Sequence, residues 1–320
     1  MNRQELDYVS SLFRHVVQEE KDNLTTNLSN NILHKKYYHR YVILKQRGGV
    51  RIIYEPNETL KKIQKHINNN ILKKAPVSSY AFAYVSSRSI IDNAKPHLKN
   101  PVLLKLDIHR FFDSIHFQSV FGIFRSMGYS EEFSRLLAGL TTIDDLLPQG
   151  APTSPALSNL YLKKFDEEIG DYCKEKNVIY TRYSDDLTFS MQRFDPNLVK
   201  TVRRKLEDLG LELNRKKSRI ITGPLQKRVT GIVINEKLQT PIGYRRKIRQ
   251  EMYYISKFGL DKHLEHEEIT DKNAYVKSLL GRIDCVLQVN KNDDEFKKYR
   301  TILSTPSLGS LRSQLEDLLD

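Results

Sequence analysis

The chain has 320 residues, 39% of them hydrophobic and 28% charged, which suits a folded globular protein with a substantial core and argues against a disordered chain. Lys and Arg number 52 against 39 acids, a formal charge of +13 that points to a polyanionic partner. Two cysteines, Cys173 and Cys285, are too few and too far apart for a disulfide framework or a thiolate metal site, so both are expected to be reduced and partly buried, in a cytoplasmic setting.

Along the chain, Leu6, Val9, Phe13 and Val16 recur at helical spacing. That opening has no continuous apolar core of a signal peptide, and no later run reaches the roughly 18 apolar residues of a membrane span. Residues 37–56, YYHRYVILKQRGGVRIIYEP, read as two strands joined at Gly48-Gly49, followed by a lysine-rich helix from about Glu58 to Lys74. PVLLKLDI, residues 101–108, is apolar enough for a buried central strand. Val120, Phe121, Phe124 and Met127 share one helical face that stops at Gly128, and Ser130 opens a second helix with Phe133, Leu136, Leu137 and Leu140 inward. A turn-rich PQGAPTS, residues 148–154, leads into a helix starting near Pro155.

IYTRYSDDLTFS, Ile179 to Ser190, alternates on both flanks and predicts a hairpin with Ser184, Asp185 and Asp186 at its turn. Asp195 and Pro196 then open a helix carrying Val199, Val202, Leu206 and Leu209, closed by Gly210. Strands are expected near Leu211–Leu213, Ser218–Ile221 and Val229–Val233, and the last eighty residues read as helices. This order predicts an α+β arrangement around an antiparallel sheet, with a helical appendix.

Asp107 ends the apolar strand, and Asp185-Asp186 occupy the hairpin turn. Carboxylates forced together raise one another's pKa, and a hard divalent cation relieves the repulsion. The bland alternatives are a solvated turn for Asp185-Asp186, since Asp favours turns, and an ion pair to Lys105 for Asp107. From Arg215 to Lys262 thirteen basic residues face three acids, with Tyr244, Tyr253 and Tyr254 interleaved among Arg245, Arg246, Lys247 and Arg249. Such a mixture suits phosphate contact combined with stacking on unpaired bases, or else a merely solvated helix.

These residues resemble a reverse transcriptase. Leu106-Asp107-Ile108-His109-Arg110-Phe111-Phe112 resembles the first palm motif, Leu147 to Pro155 (LPQGAPTSP) the second, Tyr183-Ser184-Asp185-Asp186 the Tyr-x-Asp-Asp box, and Gly210 to Ser218 the fourth. Asn93-Ala94-Lys95-Pro96-His97 is similar to the Asn-Ala-x-x-His element, and Val229-Thr230-Gly231 to the Val-Thr-Gly triplet, of bacterial retron enzymes. Two departures stand out: Ala83-Tyr84 occurs where Gly-Phe is common, upstream of Arg88-Ser89-Ile90, and Ser184 where Ala is common.

The resemblance implies a right-hand polymerase fold: an N-terminal helix and fingers over 1–100, a palm over 101–235 with finger helices around 115–147, and an RNA-binding helical thumb over 236–320. It implies two Mg²⁺ held by Asp107, Asp185, Asp186 and the Ile108 backbone. Arg51, Phe112, Gln149 and Lys217, with Lys216 as the alternative lysine, would bind the nucleotide, Phe112 as the gate against a 2′-hydroxyl. Asn93, His97, Arg245, Arg246 and Tyr253 would bind RNA. The expected partners are deoxynucleoside triphosphates, a cognate structured noncoding RNA and its DNA product, and a retron effector protein in antiphage defence. A group II intron or diversity-generating enzyme is the near alternative, and a non-catalytic RNA-binding module on a palm scaffold the distant one.

Overall fold

A computed structural model describes residues 1–13, 36–45 and 48–304. In chain order its helices and strands are α1 (Arg3–Leu12), β1 (Tyr38–Leu44), β2 (Val50–Pro56), α2 (Glu58–Asn70), α3 (Ile90–Ala94), β3 (Val102–Asp107), α4 (Phe117–Ser126), α5 (Glu131–Thr141), α6 (Ser154–Tyr161), α7 (Lys163–Glu175), β4 (Ile179–Tyr183), β5 (Asp186–Met191), α8 (Pro196–Glu207), β6 (Arg219–Ile221), β7 (Arg228–Val229), β8 (Ile232–Val233), α9 (Ile242–Phe258), α10 (Leu260–His266), α11 (Lys272–Val289) and α12 (Asp294–Ser304). The chain divides into two compact units: Met1–Arg88 with Val102–Ile220, and Ser89–Pro101 with Ile221 onward. No helix among the described residues is long and apolar enough to cross a membrane.

In the first unit a four-stranded sheet of order β4-β5-β3-β6 lies beneath helices. β3 is central and buried along almost its whole length because Leu103, Leu104 and Leu106 have packing partners on both faces. β5 runs antiparallel to both β3 and β4. The helices turn their apolar faces to one core that includes Ile63, Phe124, Phe133, Leu137, Phe165, Ile169 and Val202. Caps fix their starts: the Asn57 side chain accepts from Leu60 N at 2.9 Å, and that of Asp195 from Asn197 N at 2.9 Å.

The β1–β2 hairpin forms as expected, with Gly48 and Gly49 both at positive φ. Elsewhere the expected elements change. At the N-terminus Phe13 is buried and Val9 packs on the core as expected, but Leu6 is half exposed and Glu5 is buried, its carboxylate accepting from Ser130 N at 2.7 Å; Val16 lies outside the described residues. The helix near Pro155 is two helices, α6 and α7. Leu211–Leu213 is not a strand but meets the sheet at a single bridge, Ile108 to Leu213. Val229–Val233 is a two-residue hairpin, with Thr230 at φ 45° and Gly231 at φ 85° in its turn. The free thiol of Cys173 is buried, which pushes its pKa up to about 12; Cys285 is free and half-buried.

The second unit has its own core of Ile248, Met252, Ile255, Leu279, Ile283, Val286 and Phe296, contributed by α9, α11 and α12. Here α3 packs on the β7–β8 hairpin: Thr230 donates to Ile90 O at 2.9 Å and Lys99 N to Ile234 O at 3.0 Å.

Candidate active site

Pairing register brings the acids together. Asp107, last in β3, stands opposite Asp186, first in β5, and Asp186 also pairs with Tyr183 of β4. Ser184 and Asp185 therefore form a two-residue turn, and Ile108 N donates to Asp185 O at 3.0 Å, tying that turn to the end of β3. Burial, then the charges of Asp107 and Asp186, push the Asp185 carboxyl above the usual carboxylate range. Asp107 is buried; its Oδ2 accepts from Lys217 Nζ at 2.7 Å, while Oδ1 has no partner among the described residues. The bland alternative, an ion pair of Asp107 with Lys105, gives way to one with Lys217, which the segment after α8 delivers: Asn214 N donates to Asp107 O at 2.7 Å and His109 N to Glu212 O at 2.7 Å.

Among the described residues no group of three or more His, Cys, Asp or Glu side chains is placed to hold a metal ion by itself. The donor chemistry nevertheless fits a hard cation. A buried carboxylate oxygen lacks a partner among the described residues beside a carboxyl raised by burial and then by like charges, and Mg²⁺ takes one or two carboxylates while keeping waters and substrate phosphates.

The turn itself is held by a network that sequence reasoning missed. Strand alternation sets Tyr180 and Arg182 on the face opposite Thr181, yet all three are buried. The Arg182 guanidinium forks onto Asp166 of α7 at 2.8 and 2.7 Å, and Nη1 donates to Asn159 Oδ1 at 3.0 Å and to Ser184 O at 3.1 Å. Tyr180 also donates to Asp166, at 2.8 Å. Ser184 has φ 60°, a region that favours glycine, so the turn stores strain that these bonds must offset.

The segment before Arg88 runs beside β4: Arg182 N donates to Tyr80 O at 2.7 Å and Phe82 N to Arg182 O at 2.8 Å. It ends on Tyr84, 52% exposed, whose hydroxyl lies 3.1 Å from Ser184 Oγ. The two departures from the family pattern, Tyr84 and Ser184, therefore touch each other. Tyr84→Phe and Ser184→Ala should each cost about 1 kcal/mol of stability, and the double variant no more than either alone. Additive losses in chemical denaturation would show that the hydroxyls do not interact. Arg88 closes this loop as a brace, donating to the Ser78, Ser79 and Ala81 carbonyls and lying over the Phe82 ring at 5.3 Å.

The Gln149-Gly150 loop packs on β2. Tyr54 N donates to Gln149 O at 2.7 Å, and a Cβ on Gly150, at φ 119°, would meet Ile53 Cγ2 at 2.8 Å and Tyr54 O at 2.9 Å. Gln149 Nε2 reaches Asp113 Oδ1 at 3.4 Å. Phe112 is half-buried, its ring 5.5 Å from that of Phe111, and Arg51 is exposed on β2 opposite Ile43. A cleft of about 980 Å³ is lined by Lys45, Arg203, Arg215, Lys216 and Lys217 against the acids Glu207 and Glu212, so its charge is positive on balance. Of the two candidate lysines, Lys217 is the one that reaches Asp107.

Three expected RNA contacts need correction. Asn93 and His97 are fully buried, so their side chains cannot meet RNA in this conformation; Asn93 Nδ2 points to Thr230 Oγ1 at 3.5 Å, joining the Asn-Ala-x-x-His and Val-Thr-Gly elements. Arg245 is 11% exposed, bound to Asp293, and its guanidinium lies 4.6 Å over the Phe296 ring. Asp293, 48 residues downstream, neutralises it, which the local charge run does not reveal. Arg246 and Tyr253 are exposed.

An antiparallel sheet gathering three carboxylates at one end, flanked by helices and followed by a helical unit, is the palm of a right-hand polymerase. Telomerase from Candida albicans, solved with a fragment of telomeric RNA, has a similar fold, with a TM-score of 0.51 over 87% of this chain and 66% of that one at 9% identity. Residues 43–244 match the reverse transcriptase (RNA-dependent DNA polymerase) family. The chain is 37% identical to the retron Ec86 reverse transcriptase of Escherichia coli over 226 residues, 68% of each chain. It is 32% identical to the retron Mx65 reverse transcriptase of Myxococcus xanthus over 270 residues, 78% of this chain and 61% of that one. The chain belongs to the retron reverse transcriptases, which makes it an RNA-directed DNA polymerase. It spans about two thirds of the length of these two relatives.

Proposed function

We propose that the protein copies part of its own structured noncoding RNA into multicopy single-stranded DNA, primed from the 2′-hydroxyl of a branching guanosine, in the service of antiphage defence with an effector protein. The observation that carries the chemistry is the pairing of Asp107 with Asp186 beside the raised carboxyl of Asp185. In this reading residues 1–100 are the N-terminal helix and fingers, 101–235 the palm, and 236–320 the thumb.

Asp107, Asp185 and Asp186, with the Ile108 carbonyl, would hold two Mg²⁺. Bound there, the ions would acidify the primer hydroxyl and offset charge on the leaving pyrophosphate. Lys217 must leave Asp107 Oδ2 before that oxygen can serve as a ligand, and the freed ammonium then faces a cleft already rich in cations, suited to a triphosphate. Arg51 would add bidentate phosphate contact, and the Gln149 amide would touch nucleotide or template.

The test is extension of a DNA primer annealed to an RNA template, with deoxynucleotides and Mg²⁺. Full-length product is expected; its absence would overturn the polymerase reading. In the same assay Phe112→Ala is expected to incorporate ribonucleotides that the parent refuses, and unchanged discrimination would return Phe112 to the core.

A further inference from the structure

The second unit contains a cavity of about 470 Å³ among α9, α10 and α11, a size that suits a small ligand. Its wall is aromatic. Tyr254 lies beside His263 with centroids 6.2 Å apart and planes 14° from parallel, an offset that leaves the ring 37% exposed, Phe258 is 6.2 Å from Tyr254, and Tyr275 leans on His263 at 5.6 Å.

Its polar groups are organised as well. Glu251 accepts from Arg282 Nη1 at 2.6 Å and from the Tyr275 hydroxyl at 2.9 Å. Burial opposes the charge on Glu251, yet these donors hold its carboxyl below the usual range, so it stays ionised and balances Arg282. Because Tyr275 spends its proton on Glu251, its oxygen must accept from His263 Nε2, 2.9 Å away. His263 Nε2 is therefore the donor of that pair. Arg282 Nε, by contrast, is a buried donor without a partner among the described residues. The cavity also has the Gln250 amide, with Lys247 and Glu267 as its remaining, opposite charges.

A nearly charge-balanced, aromatic cavity with one unmet donor does not suit a phosphate. It suits a flat heteroaromatic group carrying an acceptor, while phosphates would meet the exposed Arg246, Lys257 and Lys262 outside. We propose that this cavity takes one unpaired nucleobase of the RNA, stacked on Tyr254 and accepting from Arg282 Nε. The proposal rests on the reading of this unit as an RNA-binding thumb, and it adds that the RNA presents a flipped-out base there.

Two RNA hairpins identical except for a single 2-aminopurine bulge serve as probes of the full-length protein. The bulged hairpin is expected to bind about tenfold more tightly than the fully paired one and to change its fluorescence on binding. Tyr254→Ala should abolish the preference, and Tyr254→Phe, which keeps the ring, should retain it. Equal affinity for both hairpins with unchanged fluorescence, or a preference that survives Tyr254→Ala, overturns the proposal. The thumb reading fails separately: Arg246→Ala should weaken both hairpins alike and lower the salt slope by about one. An unaltered slope removes the thumb from phosphate binding, whatever the bulge does.

Discussion

Asp185→Asn is expected to abolish primer extension while leaving the fold as stable as the parent or more so. The carboxyl is raised by burial first and by Asp107 and Asp186 next, with Lys217 relieving only part of the repulsion. A carboxyl whose folded pKa lies above its unfolded value destabilises the fold once pH exceeds the unfolded value, so a neutral amide of the same shape removes a cost at neutral pH. The same amide removes a charge that would neutralise a divalent ion. Losing several kcal/mol of transition-state stabilisation corresponds to about a thousandfold or more in rate. The two readouts are single-turnover extension and chemical denaturation. Measurable extension near the parent rate would dismiss Asp185 as a ligand; loss of activity accompanied by unfolding would mean the turn, rather than the charge, had failed.

The second large effect concerns Asp166, which touches no substrate. Asp166→Ala strands a fully buried guanidinium and also deprives Tyr180 of its acceptor. Removing one member of such a pair costs about 3–5 kcal/mol, enough to threaten a marginally stable domain. Replacing both partners with apolar residues of similar volume, Asp166→Leu with Arg182→Met, should recover most of the stability. It should not recover full activity, because the Ser184 carbonyl loses its Arg182 donor and the strained turn loses a restraint. A double variant as active as the parent would reduce the network to packing.

The contrast between these two sites shows what was legible in advance. The three acids proposed for catalysis are readable because strand alternation places them locally and their motifs stand in a recognisable order. The network that holds them is not. Asp166 sits on a helix whose sequence, KKFDEEIGDYCKE, looks solvent-facing, and only the packing of α7 against the sheet turns it inward to Arg182. Arg245 misled for the mirror-image reason: a local run of positive charge looks like a nucleic-acid surface until Asp293 folds back onto it. Asn93 and His97 stand in a recognisable motif, but spacing alone does not say whether a polar side chain faces a partner or the protein's own interior.

The short turn at Ser184-Asp185 acts as a frame marker for the chemistry. Side chains in a strand alternate faces, so sliding β5 by one residue against β3 would set Asp185 opposite Asp107 and turn Asp186 to the opposite side. Every backbone hydrogen bond of the ladder could re-form in that slipped frame, and the sheet would still be a sheet. A single residue inserted between Tyr183 and Asp186 is therefore a frameshift in three dimensions: it would leave a folded protein whose carboxylates no longer share a face.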